Sequence, residues 1–171
     1  IQPDVVINDR LPDHGDYGTP EQGLPSEPIA GPWELCLTIG DQWSYSPNDH
    51  RMKSPRSLVT TLMIAASKGG NLLLNTGPLP DGSLHPRHVE IFEEIGRWLE
   101  RHGESVREVV PTRGVEFFGP TTGTPEAIYL HLAMRPIDEV VASGVPVGHV
   151  DKVVLLADGR ELAFQTSFDV H

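Results

Sequence analysis

Carboxylates and an arginine are concentrated in one proline-rich part of the 171-residue chain. Asp9, Arg10, Asp16 and Glu21 follow a short apolar run, and Glu34 opens the next one. Acid–base chemistry on a glycosidic bond needs two carboxyl groups in different environments, one kept protonated by desolvation and one left ionised. An arginine's fixed donors can bind sugar oxygens or orient a neighbouring carboxylate. The competing interpretation is that these are ordinary solvated loop residues.

Three aromatic residues lie near the ends of the same elements: Trp33, Trp43 and Tyr45. Aromatic faces stack on the apolar faces of sugars, but aromatic residues that flank a buried strand are also common in cores. We expect Trp33 to be a core residue. Trp43 is a candidate substrate-binding residue, with a place in the core as the alternative.

No known metal or nucleotide motif occurs in the sequence. His85 and His88 are three residues apart at the start of a predicted helix, and no His-Glu-x-x-His spacing exists. A Gly-x-Ser-x-Gly elbow, a P-loop and a dinucleotide fingerprint are also absent from the sequence. We therefore expect no metal and no organic cofactor.

Charge argues against two classes of partner. The chain has 24 acidic and 13 basic residues, a formal net charge of −11. It has no stripe of Lys or Arg to neutralise phosphates, so nucleic acid and anionic membranes are poor partners. The sequence contains no apolar stretch of about 18 residues, the length that would predict a membrane span. The single cysteine, Cys36, excludes an internal disulfide.

The first half of the chain alternates strands and helices. Val5-Val6-Ile7 is a β-branched run without alternation, typical of a strand buried on both faces. Residues 11–32 are rich in Pro and Gly and predict one long loop. A strand follows over 33–39, and Ser54-Pro55 then begins a helix that stops at Gly69-Gly70.

A further strand and helix follow, and then the pattern changes. Asn71–Asn75 predicts a buried strand, and His85-Pro86 opens a helix that ends at Gly103. On this helix Val89, Phe92, Gly96 and Leu99 are expected to share a face flanked by Ile95. After Gly103 the chain shows only short strand-like runs separated by turns. These runs are 109–110, 115–118, 127–132, 153–156 and 162–164.

These elements predict an α/β fold followed by an all-β module. Residues 1–108 would have a parallel α/β architecture, with functional loops at the carboxyl ends of the strands. Residues 109–171 would begin a β-sandwich. Because the chain starts inside a strand and has only about five β-runs where a sandwich needs about seven, we expect both units to be truncated.

Four ordered segments resemble the α-L-fucosidases of glycoside hydrolase family 29. They are Val5-Val6-Ile7-Asn8-Asp9-Arg10; Thr19-Pro20-Glu21; Trp33-Glu34-Leu35-Cys36-Leu37-Thr38-Ile39 with Trp43-Ser44-Tyr45; and Ser67–Pro78 with Asp81-Gly82. The resemblance is clear over residues 1–110, and the remainder shares only the general pattern of short strands and turns. Leu11 departs from the tryptophan that usually follows Asn-Asp-Arg in this family.

The resemblance implies that residues 1–108 are the C-terminal part of a catalytic (β/α) TIM-like barrel. It also implies a retaining exo-glycosidase that removes terminal fucose from glycans or glycoconjugates. It places the general acid/base on Glu21 and a sugar-binding role on Arg10, with Asp9, Asp16 and Glu34 as reserve candidates for the acid/base. In such enzymes the nucleophile is an aspartate in a Trp/Phe-Asp-Gly-like segment on an earlier strand. No such segment precedes Asn8, so we expect this chain alone to be inactive.

Two alternatives from other classes stay open at this point. One is a non-catalytic carbohydrate-binding or structural protein, and the other is a different glycosidase on the same barrel. The compartment is undecided, with an extracellular, periplasmic or lysosome-like location compatible with the resemblance. Homo-oligomerisation of the full-length enzyme is also left open.

Overall fold

A computed structural model describes residues 2–11, 14–27 and 29–166. Within these ranges the chain forms two α-helices and seven strands. They are β1 (Glu34–Thr38), α1 (Pro55–Ser67), β2 (Asn71–Asn75), α2 (Pro86–His102), β3 (Val110–Pro111), β4 (Thr121–Gly123), β5 (Ile128–Leu130), β6 (Val153–Leu155) and β7 (Arg160–Leu162). Neither helix is long and apolar enough to cross a membrane.

Strands β1 and β2 pair in parallel, and α1 forms the crossover between them. The register runs from Glu34 opposite Asn71 to Thr38 opposite Asn75. Both strands and both helices were predicted from the sequence, and these elements are confirmed. The βαβ arrangement places the carboxyl ends of the two strands at the same edge.

The predicted continuous loop over residues 11–32 is wrong for residues 17–22. This segment lies extended and parallel beside β1: the Glu34 N–H donates to the Gly18 carbonyl at 2.9 Å, and the Cys36 N–H donates to the Pro20 carbonyl at 2.9 Å. Pro20 suits this pairing because it contributes only its carbonyl. The density of Pro and Gly therefore concealed a short strand-like segment. Pro12, Asp13 and Pro28, which belong to the predicted loop, lie outside the described residues.

Residues 7–9 form a fourth extended segment next to 16–17. The Asp16 N–H donates to the Ile7 carbonyl at 2.7 Å, and the Asp9 N–H donates to the Tyr17 carbonyl at 3.0 Å. The expectation that this first run is buried on both faces is wrong, since Val5 and Val6 are 51% and 70% exposed. Within the described parts of the chain, the run pairs on one side only.

The core lies between one face of β1 and the two helices. Leu35, Leu37 and Ile39 alternate onto this face and pack with residues of both helices: Leu58, Ala65 and Ile91. Trp33 is 1% exposed and joins the same cluster, which confirms its assignment to the core. Because successive side chains on a strand point to opposite faces, Cys36 and Thr38 lie on the other face of β1.

Helix α2 uses a different face from the predicted one. Ile91 is fully buried, Phe92 and Ile95 pack against the core, and Val89 is 37% exposed. The spacing 91, 92, 95 is a regular helical stripe, so the periodicity was present in the sequence. The prediction included Val89, which is exposed, and omitted Ile91, which is buried.

Both ends of α1 form as their sequence signals predict. The Ser54 hydroxyl accepts a hydrogen bond from the Ser57 N–H at 3.1 Å, and Pro55 occupies the first turn. At the other end Gly69 adopts φ +78°, while the N–H groups of Gly69 and Gly70 donate to the carbonyls of Ala66 and Ala65. These two bonds form a Schellman motif.

The remainder of the described chain forms two small antiparallel sheets instead of a recognisable sandwich. Strands β3, β4 and β5 make one sheet, and β6 and β7 make a hairpin that turns at Asp158-Gly159. Strand β4 was missed, and residues 115–118 make only a single bridge, between Glu116 and Ser143. Strands β3 and β4 contact α1. The division at residues 108 and 109 stays a prediction.

Candidate active site

The candidate residues fall at two opposite edges of the parallel segments. Arg10 follows segment 7–9, Glu21 lies near the end of segment 17–22, and the loop with Trp43 follows β1. All three are at the carboxyl edge, where functional residues collect in parallel α/β folds. Asp16 and Glu34 lie at the amino edge, because each begins its extended segment.

Arg10 and Glu21 form an ion pair between the guanidinium and one carboxylate oxygen. Their side chains are 50% and 41% exposed, so both remain accessible. The hydrogen bond to Glu21 raises the pKa of Arg10 above its ordinary value. An ion pair of Arg10 with a neighbouring loop aspartate, Asp9 or Asp16, would only order the loop. The structure instead brings together the two residues that the sequence singled out as substrate-binding and acid/base candidates.

Asp9 is engaged by a different neighbour. Its carboxylate accepts a hydrogen bond from the Thr19 hydroxyl at 2.5 Å. Hydrogen bonds from Thr19 lower the pKa of Asp9, since they favour its charged form. Asp9 is therefore held by Thr19 and stays a reserve candidate for the acid/base.

Asp16 and Glu34 are far from this pair along the sheet. The Asp16 carboxylate accepts a hydrogen bond from the Ile7 N–H at 2.8 Å, which ties the first two extended segments together. Asp16 and Glu34 line a cavity of about 300 Å³ with Trp33 and Asn71. Asp16 and Glu21 are five positions apart along one extended segment, a span of roughly 16 Å at about 3.3 Å per residue.

Trp43 is 41% exposed, which excludes a place in the core of this chain. Its carbonyl accepts a hydrogen bond from the Asn75 side-chain amide at 2.7 Å, so the end of β2 holds the loop. Gly77 permits this approach because a Cβ there would collide with the backbone of Ser44 and Tyr45. The indole is therefore held at the carboxyl edge and open to a ligand.

Sequence reasoning missed the residues that order the loop after β1. The Asp49 carboxylate accepts from the N–H groups of Asp41 at 3.0 Å and Gln42 at 3.0 Å. These backbone hydrogen bonds, led by the one from Asp41, lower the pKa of Asp49. No local turn signal predicts this contact, because the two donors lie eight and seven residues before Asp49.

A second polar contact joins the following loop to α2. The Thr76 hydroxyl and His88 Nδ1 are 2.7 Å apart. Burial lowers the pKa of His88, and the neighbouring His85 lowers it further. Among the residues that the structure describes, no group of three or more His, Cys, Asp or Glu side chains is arranged to hold a metal ion.

Comparison with known proteins identifies the family of this arrangement. The α-L-fucosidase family model matches residues 1–104. The chain belongs to the α-L-fucosidase family. Plasma α-L-fucosidase of Rattus norvegicus is 30% identical over 184 aligned positions, covering 98% of this chain and 40% of the rat protein. Human tissue α-L-fucosidase is 31% identical over 66% of this chain and 26% of its own length.

Solved α-L-fucosidase structures resemble the chain over most of its length. Isoenzyme 1 from Paenibacillus thiaminolyticus superimposes with a TM-score of 0.83 at 32% identity, covering 91% of this chain and 38% of that enzyme. A family 29 enzyme from Bacteroides thetaiotaomicron gives a TM-score of 0.77 at 27% identity, with 91% and 38% covered. The chain thus spans about two-fifths of the length of these fucosidases.

Proposed function

We propose that this chain is the part of a retaining exo-α-L-fucosidase that carries the general acid/base, Glu21, and a sugar-binding arginine, Arg10. The substrate class would be terminal α-L-fucose on glycans or glycoconjugates. The observation that carries the proposal is the pairing of Arg10 with Glu21 at the carboxyl edge of a chain from this family. The nucleophilic aspartate would come from a part of the barrel outside this chain.

Hydrolysis would proceed by double displacement. In the first step the aspartate attacks the anomeric carbon, the bond to the leaving oxygen breaks, and protonated Glu21 gives its proton to that oxygen. In the second step the Glu21 carboxylate takes a proton from water, whose oxygen attacks the same carbon and releases the aspartate. At the end Glu21 carries its proton again and the aspartate is again a free carboxylate.

A related enzyme supports this scheme. The Bacteroides thetaiotaomicron structure holds a trapped covalent intermediate, obtained with 2-fluoro-fucosyl fluoride in a glutamate-to-glutamine variant. A covalent intermediate is the mark of the retaining route. By analogy, a glutamate of this chain would be needed to complete turnover, and Glu21 is the best-placed candidate.

The fold proposal follows the same reasoning. Segments 7–9 and 17–22 with β1 and β2 are four neighbouring parallel stretches, and both helices pack on one face. We infer that residues 1–108 are the last part of a (β/α) barrel. Residues 109–171 would then begin a C-terminal β-sandwich. The opposite face of β1, with Cys36 and Thr38, would face the barrel interior.

A leaving-group test on the full-length protein that contains this chain examines the role of Glu21. A general acid matters most when the leaving group is basic. Glu21→Ala should therefore slow hydrolysis of a natural fucoside by about 100-fold or more, and that of an activated aryl fucoside far less. Azide should restore deglycosylation, since a small anion needs no general base.

The same series compares Glu21 with its reserves. Asp9→Ala, Asp16→Ala and Glu34→Ala should slow both substrates to similar degrees or not at all. A leaving-group-dependent loss at one of these positions, with none at Glu21, would overturn the assignment while leaving the fucosidase proposal in place. Binding of fucose by the full-length protein without any turnover would instead favour a non-catalytic carbohydrate-binding protein.

A second prediction concerns the 171-residue chain by itself. It lacks the expected nucleophile, so it should not hydrolyse an aryl fucoside above the buffer rate. The measurement is release of the aryl alcohol by the purified chain and by a mock purification from cells that do not express it. Turnover present only with the chain would contradict the prediction, whereas equal turnover in both samples would indicate a contaminant.

A further inference from the structure

The residue after Glu21 has an unusual backbone conformation. Gln22 adopts φ +58°, although it is not glycine. The Gly23 N–H donates to the Glu21 carbonyl at 2.7 Å, which closes a three-residue turn around Gln22. A γ-turn with positive φ is rare and strained. Such strain persists only where the surroundings hold it, and it concentrates at functional sites.

The Gln22 side chain reaches across to β1 and holds this turn. Its carboxamide Nε2 lies 3.1 Å from the Thr38 hydroxyl, and Oε1 lies 3.1 Å from the same hydroxyl and 3.5 Å from the Thr38 N–H. Thr38 is fully buried. The exposed side chain of Gln22 is therefore hydrogen-bonded to a buried residue, Thr38.

Thr38 is itself held by the segment that leads into α1. Its hydroxyl donates to the Gly40 carbonyl at 2.5 Å. The Lys53 ammonium donates to the Gly40 carbonyl at 2.9 Å and lies 3.4 Å from the Thr38 hydroxyl. Through Thr38, the carboxamide of Gln22 is thus linked to Gly40 and Lys53 at the carboxyl edge.

The turn matters for Glu21 because of where the backbone is fixed. The Cys36 N–H donates to the Pro20 carbonyl, and the Gln22 N–H donates to the Cys36 carbonyl at 2.9 Å. These two bonds lie on either side of Glu21 and set the direction in which its side chain leaves the backbone. If Gln22 relaxed to negative φ, the Gly23 N–H would lose its bond to the Glu21 carbonyl, and with it one of the contacts that fix the backbone of Glu21.

We propose that Gln22 is a positioning residue for Glu21, acting through its hydrogen bonds to Thr38, which stabilise the strained turn. This inference rests on the proposed role of Glu21 as the general acid/base. The exposed Glu21 carboxylate is a long side chain with several rotamers, so a fixed backbone and the ion pair with Arg10 together limit its positions. A displacement of about 1 Å in a catalytic group can cost about 100-fold in rate.

Two substitutions distinguish the effect of losing the carboxamide from the effect of the strained backbone conformation. Gln22→Gly removes the side chain but tolerates positive φ, whereas Gln22→Ala removes the side chain and keeps the strain. In the full-length protein, kcat/KM for a natural fucoside should fall from wild type to Gln22→Gly and further to Gln22→Ala, approaching 100-fold in the last. Activated aryl fucosides should be affected far less in both.

Substitutions at Thr38 test the partner. Thr38→Ser keeps the hydroxyl and should retain most activity on both substrates, while Thr38→Val should reproduce the leaving-group-dependent loss. The double variant of Gln22→Ala with Thr38→Val should lose little more than either single variant, because the two residues act through one contact. Gln165→Ala, an exposed glutamine on the final described coil, is the matched control and should behave as wild type.

The outcomes distinguish this inference from the proposed function. If Gln22→Ala slows both substrates by the same factor while Glu21→Ala shows the leaving-group dependence, Gln22 is not a positioning residue and only this inference fails. If Glu21→Ala also lacks the dependence, the assignment of Glu21 as the general acid/base fails, and the positioning role fails with it. Additive losses at Gln22 and Thr38 would also overturn the inference.

Discussion

At the scale of single residues, the site consists of one accessible ion pair at a sheet edge. Arg10 approaches Glu21 from a neighbouring extended segment, so the pair depends on the parallel alignment of two segments that the sequence separates by a proline-rich stretch. Arginine suits this position because its planar donors keep a fixed geometry toward both a carboxylate and sugar oxygens. A lysine would keep the charge without that geometry.

Arg10→Lys in the full-length protein should therefore impair catalysis without unfolding the chain. We expect kcat/KM for fucosides to fall by about tenfold or more, equivalent to about 1.4 kcal/mol of transition-state stabilisation. The melting temperature should change little, since exposed ion pairs contribute about 1 kcal/mol or less. Steady-state kinetics and thermal melting on the same samples measure both effects.

Arg51→Lys is the matched control for this experiment. Arg51 makes an ion pair with Asp41 at 2.7 Å on the loop after β1, and its side chain is 86% exposed. Its substitution should leave both activity and stability near wild type. If Arg10→Lys sharply lowers the melting temperature but leaves the kinetics of the folded fraction unchanged, Arg10 only orders the loop.

At the scale of elements, the connection from α1 to β2 is the tightest junction of the parallel part. Gly69 takes the positive φ that ends the helix, and Gly70 lies against the indole of Trp33 at the base of β1. A Cβ at Gly70 would collide with that ring. The two glycines are therefore needed for different reasons, Gly69 for its backbone conformation and Gly70 for the packing of Trp33.

Two Gly→Ala substitutions should have opposite effects on stability. Gly70→Ala should destabilise the chain by about 1–3 kcal/mol, the range for overpacking a core. Gly96→Ala should stabilise it by up to about 1 kcal/mol, because Gly96 lies inside α2 with open space at its Cβ and alanine is the better helix former. Urea denaturation curves for the three proteins compare the free energies of unfolding. Equal effects at the two sites would contradict the packing role of Gly70.

At the scale of the whole molecule, a buried polar cluster joins the first small sheet to the end of α2. The Thr122 hydroxyl donates to the Ser105 carbonyl at 2.6 Å, and it lies 2.9 Å from Nε2 of His131. Thr122 is fully buried and His131 is 6% exposed. Burial lowers the pKa of His131 below its ordinary value of 6.5. The folded chain therefore favours the neutral form of this imidazole.

This arrangement predicts a loss of stability in mild acid. Below about pH 6.5 the unfolded chain takes up the proton that the folded chain resists, so the contribution is present above that pH and lost as the pH falls. The melting temperature should drop between about pH 7.5 and about pH 5.5. His131→Gln keeps an amide that can hydrogen-bond Thr122 and should show a smaller drop. His88 and His102, whose pKa values burial also lowers, account for the remainder. An identical drop in both proteins would exclude His131 as a cause.

Local chemistry in the sequence determined the helices, their ends and the core strands. Ser54-Pro55 and Gly69-Gly70 bound α1 because capping depends on residues within one turn. The apolar runs of β1 and β2 needed no distant partner to be recognised, and Trp33 was assigned correctly to the core. The residue types of Arg10 and Glu21 were also visible as candidates, since charged side chains in a functional loop are conspicuous.

Tertiary structure alone decided which of these residues meet. Segment 17–22 became extended because β1 offers it a hydrogen-bonding edge, and local propensity around Pro20 gives no sign of that edge. The same pairing brings Arg10 to Glu21, leaves Asp16 and Glu34 at the opposite edge, and places Gln22 against Thr38. Contacts between residues 11 or 16 positions apart depend on the register of the paired segments, since a slip of one residue would turn each side chain to the other face.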